Sequence, residues 1–226
     1  MYAQQETLPT VTPISHATMV LDWGGASIYT DPTGGPESFA GKPAANLVVV
    51  TDIHSDHLNT STLTAVVGEN TALIVPQAVK DQLPADLAAR AKALANGQTL
   101  TEQGIEISAI PMYNIPESTE SFHTKGRGNG YVLDREGVRV YVAGDTAGIP
   151  EMRALERIDI AFVPMNLPYT MGVEEAAGAV LDFKPKHVYP YHYRGPDGLA
   201  DVEKFKQLVN AGDPAIEVVL LDWYLE

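Results

Sequence analysis

The chain of 226 residues contains no cysteine, which excludes disulfides, thiolate metal sites and cysteine nucleophiles together. Cations are scarce as well: 15 Lys+Arg stand against 29 Asp+Glu, a formal net charge of −14. Nucleic-acid binding draws on clustered Lys and Arg, so this balance argues against a nucleic-acid partner. No apolar run reaches the roughly 18–20 residues that cross a bilayer, so a soluble protein without a membrane partner is expected. A basic stretch and an apolar stretch behind Met1 are also missing, so no signal peptide is visible. Even so, Tyr2-Ala3-Gln4-Gln5 reads like the end of a small-residue cleavage site followed by a polar mature start. A periplasmic or secreted protein is therefore the expectation, and a cytoplasmic one the alternative.

With 45% apolar residues, a chain of this length can bury a large core. Residues 1–9 read as a tail and 10–226 as one domain. Val11–Leu21 and Ala26–Thr30 read as a hairpin turning at Trp23-Gly24-Gly25. Leu47–Thr51 is a continuous β-branched run, the mark of a strand covered on both faces. Asn59 caps a short helix over Thr60–Val67; a strand at Leu73–Pro76 and a helix over Ala85–Ala95 follow. In the second half, strands are expected at Ile105–Met112, Tyr131–Leu133, Val138–Ala143, Ile158–Val163, His187–Tyr191 and Ile216–Leu221. Helices fall at Pro150–Leu155, Val173–Phe183 and Leu199–Ala211. The pattern predicts an α/β domain with two packed sheets and helices outside, mixing parallel and antiparallel pairs.

The sharpest feature is Asp52-Ile53-His54-Ser55-Asp56-His57, with four potential metal ligands in six residues. It lies between the buried strand and the capped helix, where a loop can aim alternate side chains at one point. Histidine and carboxylate donors both reach zinc at about 2.0–2.2 Å. One loop cannot close such a site, so further ligands are expected at other strand ends. Asp145, in Gly144-Asp145-Thr146, and His192, in Tyr189-Pro190-Tyr191-His192-Tyr193, stand where strands run out.

These motifs together resemble the metallo-β-lactamase superfamily, an αββα four-layer sandwich with a metal centre at its strand ends. Ile14-Ser15-His16 and Thr30-Asp31-Pro32 resemble its hydrolase branch related to ascorbate-phosphate lactonase. Lys125-Gly126-Arg127-Gly128-Asn129-Gly130-Tyr131 and Asn166-Leu167-Pro168-Tyr169-Thr170-Met171 are similar to one group within that branch. The resemblance implies a second metal site of Asp56, His57 and His192, with Asp145 as a bridging carboxylate. Its first site would hold three histidines, which would fall here at Asp52, His54 and a position near Asn114. Of these only His54 is a histidine. A single well-held zinc, or a pair with a weaker, oxygen-rich site open to Mn or Fe, is the expectation that follows.

Several roles follow for this site. A metal-bound water would act as nucleophile. Asp56 would ligate and orient, Asp52 would ligate or serve as general base, and the Asn114 amide could donate to an oxyanion. His123, Lys125 and Arg127, set among glycines, read as an anion-binding rim joined by Arg194; the alternative is a solvated hairpin entry. Asn166 and Tyr169 are candidates for the pocket wall. Asp31 reads as a support to the metal loop that bonds nearby backbone, and His16 as a pocket-edge or core residue. The sum is a metal-dependent hydrolase of a small, anionic molecule, cleaving a lactone or other ester, an amide or a phosphodiester. A metal-dependent binding or sensing protein with little turnover is the competing reading. A nuclease is opposed by the charge, and β-lactam hydrolysis by the incomplete first site.

Overall fold

The computed structural model describes residues 7–224, so most of the tail expected over residues 1–9, and with it the cleavage-like stretch, lies outside the described residues. The first sheet contains β1 (Thr10–Ser15), β2 (Thr18–Trp23), β3 (Ala26–Thr30), β4 (Leu47–Val49), β5 (Ala72–Val75) and β6 (Lys92–Ala93) in sequential order. Its first three strands are antiparallel, and from β3 onward the pairs are parallel. The second sheet contains β7 (Thr99–Glu102), β8 (Ile105–Met112), β9 (Gly128–Arg135), β10 (Val138–Val142), β11 (Ile160–Pro164) and β12 (His187–Tyr191). A two-stranded ribbon, β13 (Arg194–Gly195) with β14 (Gly198–Leu199), follows, and β15 (Glu217–Val218) closes the second sheet beside β12.

Alternation along the first sheet decides the layering. Met19, Leu21, Ile28, Leu47, Val49 and Ile74 enter the main core shared with the second sheet. Val20, Tyr29, Val48, Val50, Leu73 and Val75 point the other way. There they meet Leu63 of α1 (Thr60–Val66), Val79 of α2 (Gln77–Lys80) and Leu87 of α3 (Ala85–Arg90). A period of two thus builds two apolar faces from one strand set, which a parallel sheet needs to be covered on both sides. Outside the second sheet lie α4 (Pro150–Arg153), α5 (Val173–Phe183) and α6 (Val202–Gly212), with Ala176, Val180, Phe205 and Val209 buried. The result is the αββα sandwich.

The structure departs from the sequence pattern in four places. Val11–Leu21 is two strands, not one: the chain turns at His16, which adopts a left-handed φ of 55°. The helix expected to Ala95 stops at Arg90, because Ala91 is extended and Lys92–Ala93 pairs with β5. Thr99–Glu102, too polar to read as a strand, is the edge of the second sheet. Finally, β9 begins at Gly128, so Gly128 and Gly130 belong to a strand, while Gly126 stays in the turn before it. A Cβ at Gly128 would lie 2.8 Å from the Thr51 carbonyl oxygen, closer than a side chain tolerates. Gly128 lets the two sheets come together under the site, rather than bringing backbone to a ligand.

Candidate metal centre

Five of the chain's six histidines converge at one end of the sandwich; only His187 lies apart, 3.1 Å from Glu217. The β4–α1 loop brings Asp52, His54, Asp56 and His57. It is held open by the Asn59 cap, whose side chain accepts from the Thr62 amide at 2.9 Å. The β1–β2 turn brings His16. From the second sheet, Asp145 follows β10 and His192 follows β12. Here too the chain leaves the strand in a left-handed residue, Gly144 at φ 66° and His192 at φ 47°.

The deepest group is His57, Asp145 and His192, all buried. His57 Nε2 lies 3.1 Å from His192 Nε2 and 3.2 Å from Asp145 Oδ2, and His192 Nε2 lies 3.3 Å from Asp145 Oδ1. Asp56 approaches from the open side, its Oδ2 3.3 Å from His192 Nε2 and 3.3 Å from His16 Nε2. Atoms bound tetrahedrally at about 2.0–2.1 Å to one ion stand about 3.3 Å apart. Buried Asp145 Oδ1 finds no hydrogen-bond partner among the described residues, a cost that a cation removes. The donor set therefore fits a divalent metal.

His57 is locked from behind. Its Nδ1 lies 2.8 Å from Asp31 Oδ2, while Asp31 also accepts from the Thr51 amide and hydroxyl, each at 2.7 Å. A carboxylate on Nδ1 fixes the tautomer that leaves Nε2 for a metal. Burial opposes the charged imidazole, yet Asp145 and Asp31 hold the His57 pKa well above its ordinary value. Asp145 is held well below the usual carboxylate range: His192 and His57 outweigh its burial.

Residues 10–192 match the family model described as the beta-lactamase superfamily domain. The chain belongs to the metallo-β-lactamase superfamily. It is 33% identical over 227 residues to the UPF0173 metal-dependent hydrolase of Pyrococcus furiosus, covering 93% of this chain and 95% of that one. Among solved structures, a protein assigned as a metal-dependent hydrolase from Parabacteroides distasonis superposes with a TM-score of 0.82 at 37% identity, covering 94% and 92% of the two chains. A metallo hydrolase from the archaeon Ignicoccus hospitalis shares the fold, with a TM-score of 0.79 at 24% identity over 96% of each chain. These relatives place the chain among the metal-dependent hydrolases of the superfamily.

The superfamily's first site is where the structure departs most from the sequence reading. The resemblance puts the third histidine's position near Asn114. The chain instead makes an excursion from Asn114 and returns at His123, the two residues being paired at its neck. The Asn114 amide donates to the His123 carbonyl at 2.9 Å, and the His123 amide donates to Asn114 Oδ1 at 2.9 Å. His123 is therefore not a rim cation. It is buried, with Nε2 3.1 Å from Asp145 Oδ2 and 3.9 Å from Asp52 Oδ2. Asn114 is not aimed at an oxyanion; its Nδ2 donates to the Tyr169 carbonyl at 2.8 Å, tying two loops together.

Lys125 and Arg127 of the expected rim are also committed elsewhere. Arg127 forms a two-pronged pair with Asp52, Nε to Oδ1 at 3.1 Å and Nη2 to Oδ2 at 2.8 Å. Lys125 Nζ lies 3.0 Å from Glu151 Oε1 and 4.4 Å from the Tyr113 ring centroid. Asp52 also faces His54 Nδ1 at 2.9 Å. Against its burial, His54, His57 and Arg127 hold its pKa below the ordinary value, which makes it a poor proton acceptor.

Arg194, Asn166 and Tyr169 do line the open pocket, with His16, His54, Asp56, Phe122, His123 and Asp145. Its volume is about 310 Å³. The Phe122 and Tyr169 rings meet edge to face at 4.9 Å as one wall. On the other side, the Arg194 guanidinium rests 4.2 Å from the centre of the Tyr224 ring. The Tyr224 hydroxyl lies 2.8 Å from His16 Nδ1, which links Arg194 through His16 to Asp56.

Proposed function

We propose that the protein uses a zinc ion, with manganese or iron as substitutes, to hydrolyse a small anionic molecule in this pocket. The observation that carries the reading is the convergence of His57 Nε2, His192 Nε2 and Asp145 within 3.1–3.3 Å of one another at the pocket floor. A divalent ion there would polarise the scissile oxygen and bring the pKa of its water from 15.7 to about 7. His57, His192 and Asp145 would hold it, with Asp56 on the solvent side. A two-nitrogen, two-oxygen set suits zinc and tolerates harder ions.

The chain's own residues supply the rest. Asp31 fixes the His57 tautomer. His123 turns Nδ1 toward the Tyr169 carbonyl at 3.2 Å, which leaves its Nε2 lone pair beside Asp145 to take the proton of the attacking water. Phe122 and Tyr169 offer an apolar wall to the body of the substrate.

The anionic reading rests on Arg194. Among the described residues no carboxylate pairs with it, and its guanidinium is oriented over Tyr224 at the pocket edge. A guanidinium in that position suits a carboxylate or phosphate. The pocket's size favours a lactone, a small ester, an amide or a compact phosphodiester.

Turnover of a chromogenic lactone, ester or phosphodiester by metal-loaded protein, lost in His57→Ala, is the expected result. Failure to turn over any of these, with tight metal binding intact, would favour a binding or sensing role instead.

A further inference from the structure

We infer that Arg127 is a built-in cation standing in place of the second metal ion, so that the centre takes one ion per chain. The inference rests on the metal reading above and concerns the half of the site around Asp52, His54 and His123. Those three donors come close enough to suggest a second site, but their bonding does not fit one. The two Asp52 oxygens already face three nitrogens: Arg127 Nε on Oδ1, and Arg127 Nη2 with His54 Nδ1 on Oδ2. Asp52 is fully buried and the Arg127 side chain is only 19% exposed, so the pair is little screened by water. Arg127 Nη2 also lies 3.5 Å from His54 Nε2. An ion seated on Asp52 and His54 would share their donors with a fixed positive charge.

The two halves differ in what they leave unsatisfied. Around His57 and His192, Asp145 Oδ1 lacks a hydrogen-bond partner among the described residues; in the other half both Asp52 oxygens are engaged, and only His123 Nε2, which turns to Asp145 Oδ2 at 3.1 Å, is without one. An ion on Asp52 would also stand against the fixed charge of Arg127, unless Arg127 swung out and exposed its partner. Arginine suits this part, since its planar fork matches a carboxylate through two parallel bonds and never deprotonates.

The test is metal stoichiometry, read without any substrate. Metal-free wild-type protein would be titrated calorimetrically with Zn²⁺ and with Mn²⁺, and the dialysed product assayed for metal. One equivalent of tightly held ion per chain is expected. In Arg127→Met, which keeps the apolar stem and removes the charge, a second equivalent should appear. Arg127→Lys, which retains a charge at the position, should stay at one. Two tightly held ions in the wild type would overturn the inference and needs no variant to be seen. A folded Arg127→Met protein that still takes one ion would overturn the role given to Arg127. A wild type that takes none would overturn the underlying metal reading instead.

Discussion

The Asp31 carboxylate and the His57 imidazole meet 2.8 Å apart, and both side chains are wholly out of solvent. Asp31 holds a left-handed φ of 45°, so Asn, which tolerates that conformation, is the variant that changes chemistry without forcing the backbone. Its amide oxygen could serve the Thr51 backbone N–H, or the Thr51 hydroxyl and His57, but not all three, which Asp31 divides between its two oxygens. In Asp31→Asn, metal affinity should fall roughly 10- to 100-fold. Calorimetric titration beside an unchanged far-ultraviolet circular dichroism spectrum would show this; an unaltered affinity would mean that Asp31 serves only to anchor Thr51.

Metal removal should cost stability as well as activity. At a free concentration about 1,000 times its Kd, a ligand that binds only the folded state adds about 4.1 kcal/mol. Chelation should lower Tm by several degrees, and re-addition of Zn²⁺ should restore it. In His192→Ala, which deletes a donor shared by two ligand groups, chelator and metal should leave Tm unmoved.

The pH dependence of metal binding follows from the protonation of His57. In the metal-free protein, burial is outweighed by Asp145 and Asp31, and the His57 pKa lies well above its ordinary value. Its stabilising contribution is fully present below the unfolded pKa of about 6.5 and is lost as pH rises through the folded value. For Asp145 and Asp56, burial is outweighed by neighbouring histidines and the pKa is lowered. Their contribution is present above about pH 4 and is lost as pH falls. Metal-free stability should therefore pass through a maximum between these limits. A metal must displace the His57 proton, so apparent affinity should rise with pH and protons should be released. Titration in buffers of different ionisation heat checks this, and a pH-independent affinity between about pH 6 and 8 would contradict it.

Arg194→Ala tests the substrate's charge. The side chain is exposed and makes no ion pair among the described residues, so folding should be unaffected. For an anionic substrate KM should rise about tenfold, with kcat changed little, whereas neutral esters of the same size should be indifferent. Equal KM values for charged and neutral substrates in the wild type would remove the anionic assignment.

Asn114→Ala removes both sides of a clamp: the acceptor for the His123 amide and the donor to the Tyr169 carbonyl. Each group left unpaired costs about 1–3 kcal/mol where it is buried. Tm should fall, and kcat should fall further than metal content does, because His123 and Tyr169 lose register while the ligands do not. Asn114→Asp keeps the acceptor and should recover part of kcat.

How much of this was legible in the sequence depended on distance along the chain. Asp52, His54, Asp56 and His57 sit on one loop after one buried strand, so their clustering was visible in the order of residues. Asp145 and His192 stand at strand ends, where such folds gather polar groups, so their place beside that loop was legible too. His123 was misplaced because position 114 and position 123 are neighbours only through the neck of an excursion. Its signal was present in a weaker form: it was one of only six histidines. Arg127 was misread for a similar reason. Its partner lies 75 residues away, and a basic residue among glycines looks free until the carboxylate opposite is known. The glycines themselves looked like a ligand cradle, but Gly128 is small because the Thr51 carbonyl of the facing sheet passes beside it.

That contact is one side of a seam: the Asn129 amide donates to the Thr51 carbonyl at 2.9 Å, a backbone bond between one sheet and the other. His57 and Asp56 arrive from the first side of the seam, Asp145 and His192 from the second. The deepest donor group draws on both sides. An ion held there would be captured late in the life of the molecule, only by chains whose two halves have already found each other, and a retained metal would certify correct assembly.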